Sequence, residues 1–348
     1  MQLDPWLEEN LVCPRTLSPL KRVGNRLVSR DHDEYFIEDG VPIMLLEEAT
    51  PTIALTRASL ARAKDTLIDN RAPEFYLESL GISEDEKTAL VESLKSGPSA
   101  VDPAVSVLIG ATNGILYKHL VGKLNQYPIP DLRLPSAQGL RFLDLGCNWG
   151  RWSIAAEQKG YRCVGVDPSL GAIMAARRVA RQLGFSPQYV VADARFLPFR
   201  SQVFDVAFSY SVLQHMSHED VTASLKQVAR TLKPQGTCLV QMPNKFGIRS
   251  LYHQARRGFR EASSFDVRYW NLRSLKKEFT RTVGKSSVTV DCFFGLGLQP
   301  SDLEFMSLPK RLLIQTSEFL RRLSQHLPGL VYLADSVYVQ ATRAEGKA

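Results

Sequence analysis

Residues 141–150 read Arg141-Phe142-Leu143-Asp144-Leu145-Gly146-Cys147-Asn148-Trp149-Gly150, a short apolar strand that ends on a carboxylate and a glycine-bounded turn. Small residues at such a turn let a ligand approach the backbone, and a helix starting there presents free N–H groups. Many tight turns carry a glycine pair, so the next carboxylate matters. Asp167 closes a second apolar strand 21 residues after Gly146. An acid so placed can accept both hydroxyls of a ribose.

Outward from this pair the chain alternates between two periods. Strands are predicted at 141–145, 162–166, 188–191, 203–208 and 237–242, with helices at 151–158, 169–183 and 218–232. Alternation at this spacing predicts an α/β fold with a parallel, doubly wound sheet. Pro128, Pro130 and Pro135 stiffen the approach, and a domain is expected over 136–348. Residues 1–48 read as a small β-rich unit, with strands near Leu27-Val28-Ser29, Tyr35-Phe36-Ile37 and Val41–Leu45. Residues 49–135 read as a mostly helical linker or lid. There Thr66-Leu67-Ile68 and Phe75-Tyr76-Leu77 recur among charges, and Gly97-Pro98-Ser99 ends the pattern. Leu312, Leu313, Phe319, Leu320, Leu323 and Leu327 form one helical stripe, expected to face a core.

Composition excludes several classes. With 44% apolar and 23% charged residues over 348 positions, the chain can bury a sizeable core. The five cysteines (13, 147, 163, 238, 292) share no short spacing, against a disulfide scaffold. No apolar run reaches the roughly 18 residues of a spanning helix, and the start lacks a basic-then-apolar leader. A cytoplasmic location is expected. The net charge of +7 is local: residues 245–285 hold eleven Lys or Arg against three acids. That segment mixes cations with aromatics, which suits an anionic acceptor and leaves single-stranded nucleic acid as an alternative.

Five motifs in order resemble the class I S-adenosylmethionine-dependent methyltransferases of the UbiE-like kind, over roughly 140–243. Asp144, Gly146 and Gly150 match the family's Asp-x-Gly-x-Gly-x-Gly, with Asn148 in place of the middle glycine. Asp167 with Pro168, Val191-Ala192-Asp193-Ala194, Phe204–His215 and Leu232-Lys233-Pro234-Gln235-Gly236 supply the rest. The resemblance implies a Rossmann-like sheet and S-adenosylmethionine as cofactor, with S-adenosylhomocysteine as product. It implies a cofactor site of Asp144, Gly146, Cys147, Asn148, Gly150, Asp167, Pro168, Asp193, Ala194 and Ser209. In that site Asp167 would hold the ribose, and Asp193 with the Ala194 backbone would read the adenine. His215 and Tyr210 become the catalytic candidates at the exit of the fourth strand, His215 as a base or as an acceptor-positioning group. Gln214, Tyr252, His253, Arg256, Arg257, Arg260, Tyr269 and Trp270 become acceptor-binding candidates, and Asn113 and Tyr117 lid candidates. The strand exit Ser209-Tyr210-Ser211-Val212 lacks the Asn-Pro-Pro-Tyr-type run of many enzymes that methylate adenine or glutamine nitrogens.

The first 48 residues resemble a Trm112-like zinc-ribbon-type domain through Leu11-Val12-Cys13-Pro14 and the run Tyr35–Met44. Thr16 stands where the second Cys of a Cys-x-x-Cys would be, so no metal is expected. The expected function is methyl transfer to a small molecule, most often at oxygen of an anionic, glycosylated or lipid-linked metabolite, with peripheral membrane contact left open. The alternatives are methylation of RNA or a translation protein, and a non-catalytic nucleoside-binding scaffold.

Overall fold

The computed structural model describes residues 3–65, 76–77, 83–97, 99–113, 115–263 and 265–345. The positions Thr66–Ile68, Phe75 and Pro98, singled out in the sequence, lie outside them. The chain folds as two compact units, one of residues 1–127 with 134–203, the other of 128–133 with 204–348. The architecture is α/β, with a seven-stranded mixed sheet and a four-stranded antiparallel sheet. Among the described residues no helix is long and apolar enough to cross a membrane.

The first unit opens with α1 (Pro5–Asn10) and the small sheet β1 (Leu20–Val23), β2 (Arg26–Ser29), β3 (Glu34–Glu38) and β4 (Val41–Pro42). Helices α2 (Leu55–Asp65), α3 (Glu84–Lys95) and α4 (Pro103–Thr112) follow. Asp102 caps α4 by accepting from the Val105 N–H, with Pro at the first helical turn, the expected chemistry of a helix start. Then come β5 (Arg141–Leu145), α5 (Arg151–Gln158), β6 (Arg162–Asp167), α6 (Leu170–Gln182) and β7 (Gln188–Val191). Their strands pair in parallel, β5 with β6 and β6 with β7. The small sheet is not a free-standing appendage. Ile43 bridges Val191 in parallel, and the Met44 N–H donates to the Val191 carbonyl at 2.7 Å, so residues 43–44 cover the outer edge of β7. Ile43, Leu45, Ile173, Met174 and Tyr189 then share one buried cluster.

In the second unit β8 (Phe204–Ser209), α7 (His218–Thr231) and β9 (Leu232–Pro243) precede α8 (Ile248–Arg256), α9 (Leu272–Thr282), β10 (Ser286–Cys292), α10 (Leu308–Leu323) and β11 (Ser336–Thr342). β8 pairs in parallel with β9, whereas β11 runs antiparallel to both β9 and β10. The sheet is therefore mixed rather than wholly parallel as expected. The motif at 232–236 forms a bulged entry into β9: Gln235 has φ 62° and the register shifts between Phe204 and Val206. The apolar stripe of α10 also differs from expectation. Leu312 and Phe319 are each 64% exposed, while Ile314 and Ser317 face inward.

Candidate functional site

In the first unit the loop after β5 is fixed from β6. The Gly146 and Cys147 N–H groups both donate to the Val166 carbonyl, at 2.7 and 3.1 Å. Gly146, Asn148 and Gly150 have φ of 71°, 47° and 81°, so the turn passes three times through the left-handed region. Glycine enters it at no steric cost, and Asn is among the few other residues that do so routinely. Asn148 also donates its N–H to Asp167 Oδ2 (3.0 Å), and its Oδ1 accepts from the Trp149 N–H (2.8 Å). The departure from the family's glycine is thereby accommodated. Gly150 begins α5 with no side-chain cap, so the first N–H groups of that helix are left to whatever the loop holds.

Two carboxylates frame this loop. Asp167, 7% exposed, accepts the Ser169 N–H on Oδ1 (2.9 Å) and the Asn148 N–H on Oδ2. Asp144, 1% exposed, accepts from the Ser153 hydroxyl at 2.7 Å. Burial pushes Asp167 up to about 6. Burial, with a smaller contribution from the Asp167 charge, pushes Asp144 up to about 7 against the pull of the Ser153 hydrogen bond. Both groups hold a proton in the fold at pH values where the unfolded chain has lost it. Their joint effect on stability is therefore fully present below about pH 4 and is lost as pH rises to about 6 for Asp167 and about 7 for Asp144. Asp144→Asn should accordingly gain about 3 kcal/mol relative to wild type between pH 5 and pH 8 in urea unfolding of the ligand-free protein. A constant difference across that range would show that the Asp144 carboxyl titrates normally.

Asp193 stands just past β7 and is 5% exposed, but its carboxylate is taken by a neighbour. Arg195 donates from Nε to Oδ1 (3.0 Å) and from Nη2 to Oδ2 (2.7 Å), and its backbone N–H also reaches Oδ1 (2.9 Å). Ala194 opens the 3₁₀ turn that Asp193 caps. Pro168 offers its carbonyl to the Ser59 hydroxyl at 2.9 Å, and the Cys147 thiol is buried, which pushes its pKa up. Of the two lid candidates, Tyr117 is fully buried. Asn113, 5% exposed, accepts from Trp149 Nε1 (3.3 Å), while its Nδ2 has no hydrogen-bond partner. A buried amide donor beside the loop is a group awaiting an acceptor. Sequence reasoning did not find Ser153, which no motif marks.

The second unit holds the remaining candidates in three places. The exit of β8 clamps the segment after α8. His215 Nδ1 lies 2.8 Å from the Phe265 carbonyl, which can only accept, so Nδ1 carries the proton and Nε2 accepts from Gln214 Nε2 (3.1 Å). The imidazole stacks on Phe265 at 3.9 Å, and burial holds its pKa down. The Arg268 N–H donates to the Gln214 carbonyl (2.8 Å), and Arg268 Nη1 to that of His215 (2.6 Å). Tyr269 is half-buried, and Trp270, 5% exposed, packs 3.9 Å from His218.

Tyr210 belongs to a buried network that the sequence did not reveal. Its hydroxyl donates to Asp291 Oδ2 (3.0 Å), as does the Ser336 hydroxyl (2.7 Å), and Arg133 Nη1 pairs with Asp291 Oδ1 (3.0 Å). Gln241 Nε2 donates onward to the Ser336 hydroxyl, and the Ser211 N–H donates to Gln241 Oε1. Burial pushes the Tyr210 pKa up. Ser209 is fully buried at the end of β8. The third place is α8 and the turn after it: Tyr252, His253, Arg256 and Arg260 are exposed, and Arg257 is paired with Asp266 at 3.6 Å.

In the small N-terminal sheet the Cys13 thiol donates to Asp33 Oδ2 (3.4 Å) and lies 3.2 Å from the Tyr35 hydroxyl. Arg15 pairs with Asp33 and Glu48. Among the described residues no cluster of three or more His, Cys, Asp or Glu is placed to hold a metal.

Comparison with known proteins bears on the segment that carries the loop. The ubiquinone biosynthesis O-methyltransferase of Azorhizobium caulinodans is 32% identical over 108 residues, 31% of this chain and 42% of that protein. That of Bradyrhizobium sp. is 35% identical over 107 residues, 31% of this chain and 41% of that protein. The chain thus spans about two fifths of the length of these relatives. Among solved structures, Haemonchus contortus phosphoethanolamine N-methyltransferase 2, in complex with phosphomonomethylethanolamine and S-adenosylhomocysteine, is 19% identical, with a TM-score of 0.42 over 61% of this chain and 51% of that one. An S-adenosylmethionine-dependent methyltransferase from Mesorhizobium loti is likewise 19% identical, with a TM-score of 0.41 over 60% of this chain and 94% of that one. Residues 142–236, from β5 to the entry of β9, match the family model described as a methyltransferase domain.

Proposed function

We propose that this protein is an S-adenosylmethionine-dependent methyltransferase acting on oxygen of a small, anionic, glycosylated or lipid-linked acceptor. The observation that carries this reading is the coincidence of the methyltransferase-domain match with a pinned glycine loop whose central N–H is held by the strand-end acid Asp167. The O-methyltransferase names of the partial relatives favour oxygen as the acceptor atom.

The residues present fit an adenosyl sulfonium donor. Each Asp167 oxygen holds one N–H and keeps a second acceptor position, enough for two ribose hydroxyls. The uncapped start of α5 and the unpartnered Asn113 amide offer donors for a carboxylate, and Asp144 with its raised pKa offers a carboxyl that a nearby cation would drive to ionise. When bound, the donor supplies an electrophilic methyl on a positively charged sulfur. Loss of that charge on the way to the transition state makes alignment and exclusion of water the main sources of acceleration. In this arrangement Asp193 orders Arg195, and the backbone at Ala194 is the part of that loop left to recognise the adenine.

On the acceptor side, the Tyr210 hydroxyl keeps its proton and donates it in a hydrogen bond to Asp291, which makes Tyr210 a positioning residue rather than a base. His215 spends its Nε2 lone pair on Gln214, so its role is to hold residues 265–270 against the exit of β8. His215→Ala should therefore slow turnover by roughly tenfold with little change in donor affinity and no change in the shape of the pH–rate profile. Loss of the acidic limb of that profile would instead make it a general base. The whole reading is tested by calorimetric titration of the full chain with S-adenosylmethionine. Saturable binding is expected, and no heat from a folded sample over a range of temperatures would overturn it.

A further inference from the structure

Helix α8 is built inside out. Its inward positions are Ser250 and Gln254: the Ser250 N–H donates to Asp335 Oδ1 (2.7 Å), and Gln254 Nε2 donates to the carbonyls of Lys245 (2.7 Å) and Ser250 (3.1 Å). A side chain on Gly247 would put its Cβ 2.5 Å from the Asp335 Cα, so the helix start lies backbone against backbone and its orientation is fixed. The outward positions are Ile248, Leu251 and Tyr252, exposed by 54, 41 and 56%. A surface helix ordinarily does the reverse.

The apolar surface extends beyond the helix. Phe246 precedes it and is also exposed, and the Ile248 N–H donates to the carbonyl of Leu333, another exposed apolar residue, at 3.4 Å. After the helix, Phe259 is held outward, 68% exposed, with φ 54°. α10 carries its own exposed Leu312 and Phe319, and both helices are tied to one dipeptide. The Ser317 hydroxyl accepts from the Phe293 N–H (3.0 Å), and Arg249 Nη1 donates to the Phe294 carbonyl (3.1 Å).

The charges around this surface are predominantly positive, with Glu261 just beyond Phe259 and Asp266 paired to Arg257. Residues 244–260 contain Lys245, Arg249, Arg256, Arg257 and Arg260 and no acid, and Asp335 is buried beneath the helix. Lys245 lies 6.0 Å over the Phe246 ring and Arg256 5.8 Å over that of Tyr252, so the cations ride on the aromatic side chains. A second copy of the chain would bring like charges together. RNA would leave Ile248, Leu251 and Phe259 without an apolar partner. A phospholipid surface with anionic headgroups satisfies both components, taking the apolar side chains to the acyl boundary and the Lys and Arg side chains to phosphate.

We propose that the α8 face, with Phe246 and Phe259, docks on an anionic phospholipid bilayer. Such docking is independent of the methyl-transfer activity proposed above, and vesicle binding by protein that fails to bind S-adenosylmethionine would separate the two.

The test is co-sedimentation of the full chain with vesicles of phosphatidylcholine alone or of phosphatidylcholine mixed equally with phosphatidylglycerol. At about 0.1 M salt the anionic vesicles should bind at least roughly tenfold more protein, and high salt should weaken the binding. Leu251→Ser with Phe259→Ser, and separately Lys245→Glu with Arg256→Glu, should each lower it by roughly tenfold or more. Because the replaced side chains are exposed, the variants should melt as wild type does; the comparison of vesicle compositions uses wild type alone. Equal binding to both vesicle types, or binding unaffected by either double variant, would overturn the proposal. So would a dimer seen by sedimentation velocity that Leu251→Ser dissolves while no vesicles are bound. Salt-sensitive binding of single-stranded RNA without vesicle binding would overturn it in favour of nucleic acid.

Discussion

Asp167→Ala is expected to weaken S-adenosylmethionine binding by about 2–4 kcal/mol, roughly 30- to 1000-fold, measured by calorimetry. The size follows from burial. At 7% exposure no bulk water replaces the lost acceptor, and two ribose hydroxyls would each be left without a charged partner. The substitution also frees the Asn148 and Ser169 N–H groups that the carboxylate holds, so part of the loss would come from a loosened loop. Asp167→Asn separates the two contributions. It keeps the shape and one acceptor and should lose less affinity than the Ala variant, although its amide nitrogen must face either the Asn148 or the Ser169 N–H. Unchanged affinity in the Ala variant would remove Asp167 from the donor site.

Asp291→Ala should cost about 3–5 kcal/mol of stability in urea unfolding. Asp291 is 1% exposed and gathers three donors, the Arg133 guanidinium and the hydroxyls of Tyr210 and Ser336. Removing the acceptor strips the Tyr210 and Ser336 hydroxyls of their charged partner and leaves the largely buried Arg133 guanidinium with only the residue 291 carbonyl (2.7 Å) and the more distant Glu318 (3.6 Å), which costs more than the pair itself contributes. Arg133→Met together with Asp291→Leu should recover only the part of the loss that comes from the unpaired charge, because the Tyr210 and Ser336 hydroxyls still lack their acceptor. A loss under about 1 kcal/mol for the single variant would mean that water replaces the carboxylate.

The strand, loop and helix at 141–158 were the legible part of the fold around the candidate site, and the reason is local chemistry. The strand 141–145, the helix 151–158 and the acid at the end of β6 depend on neighbours a few residues apart, so alternation and turn residues reveal them. Partner choice over longer range is not written that way. Nothing around His215 indicates that its ring nitrogen will meet Phe265, 50 residues on. The sequence around Tyr210 likewise gives no sign of Asp291, although an acid at the end of the strand Val288-Thr289-Val290 was there to be noticed. β11 was missed because Val337, Tyr338 and Val339 are all buried, which erases the two-residue alternation that marks a half-covered strand. The stripe on α10 shows a different limit. Periodicity identifies an apolar face but not the direction in which it points, and here Leu312 and Phe319 point outward.

The contact of Ile43 and Met44 with Val191 makes the first fifty residues a guard for the barrel-less sheet they adjoin. A shortened chain lacking them would present β7 with an open row of amides and carbonyls and strip the cover from Ile173 and Tyr189. Neighbouring molecules would then zip together along that rim. Preparations of the isolated 136–348 segment should clump for this reason alone, and their inactivity would say nothing about chemistry.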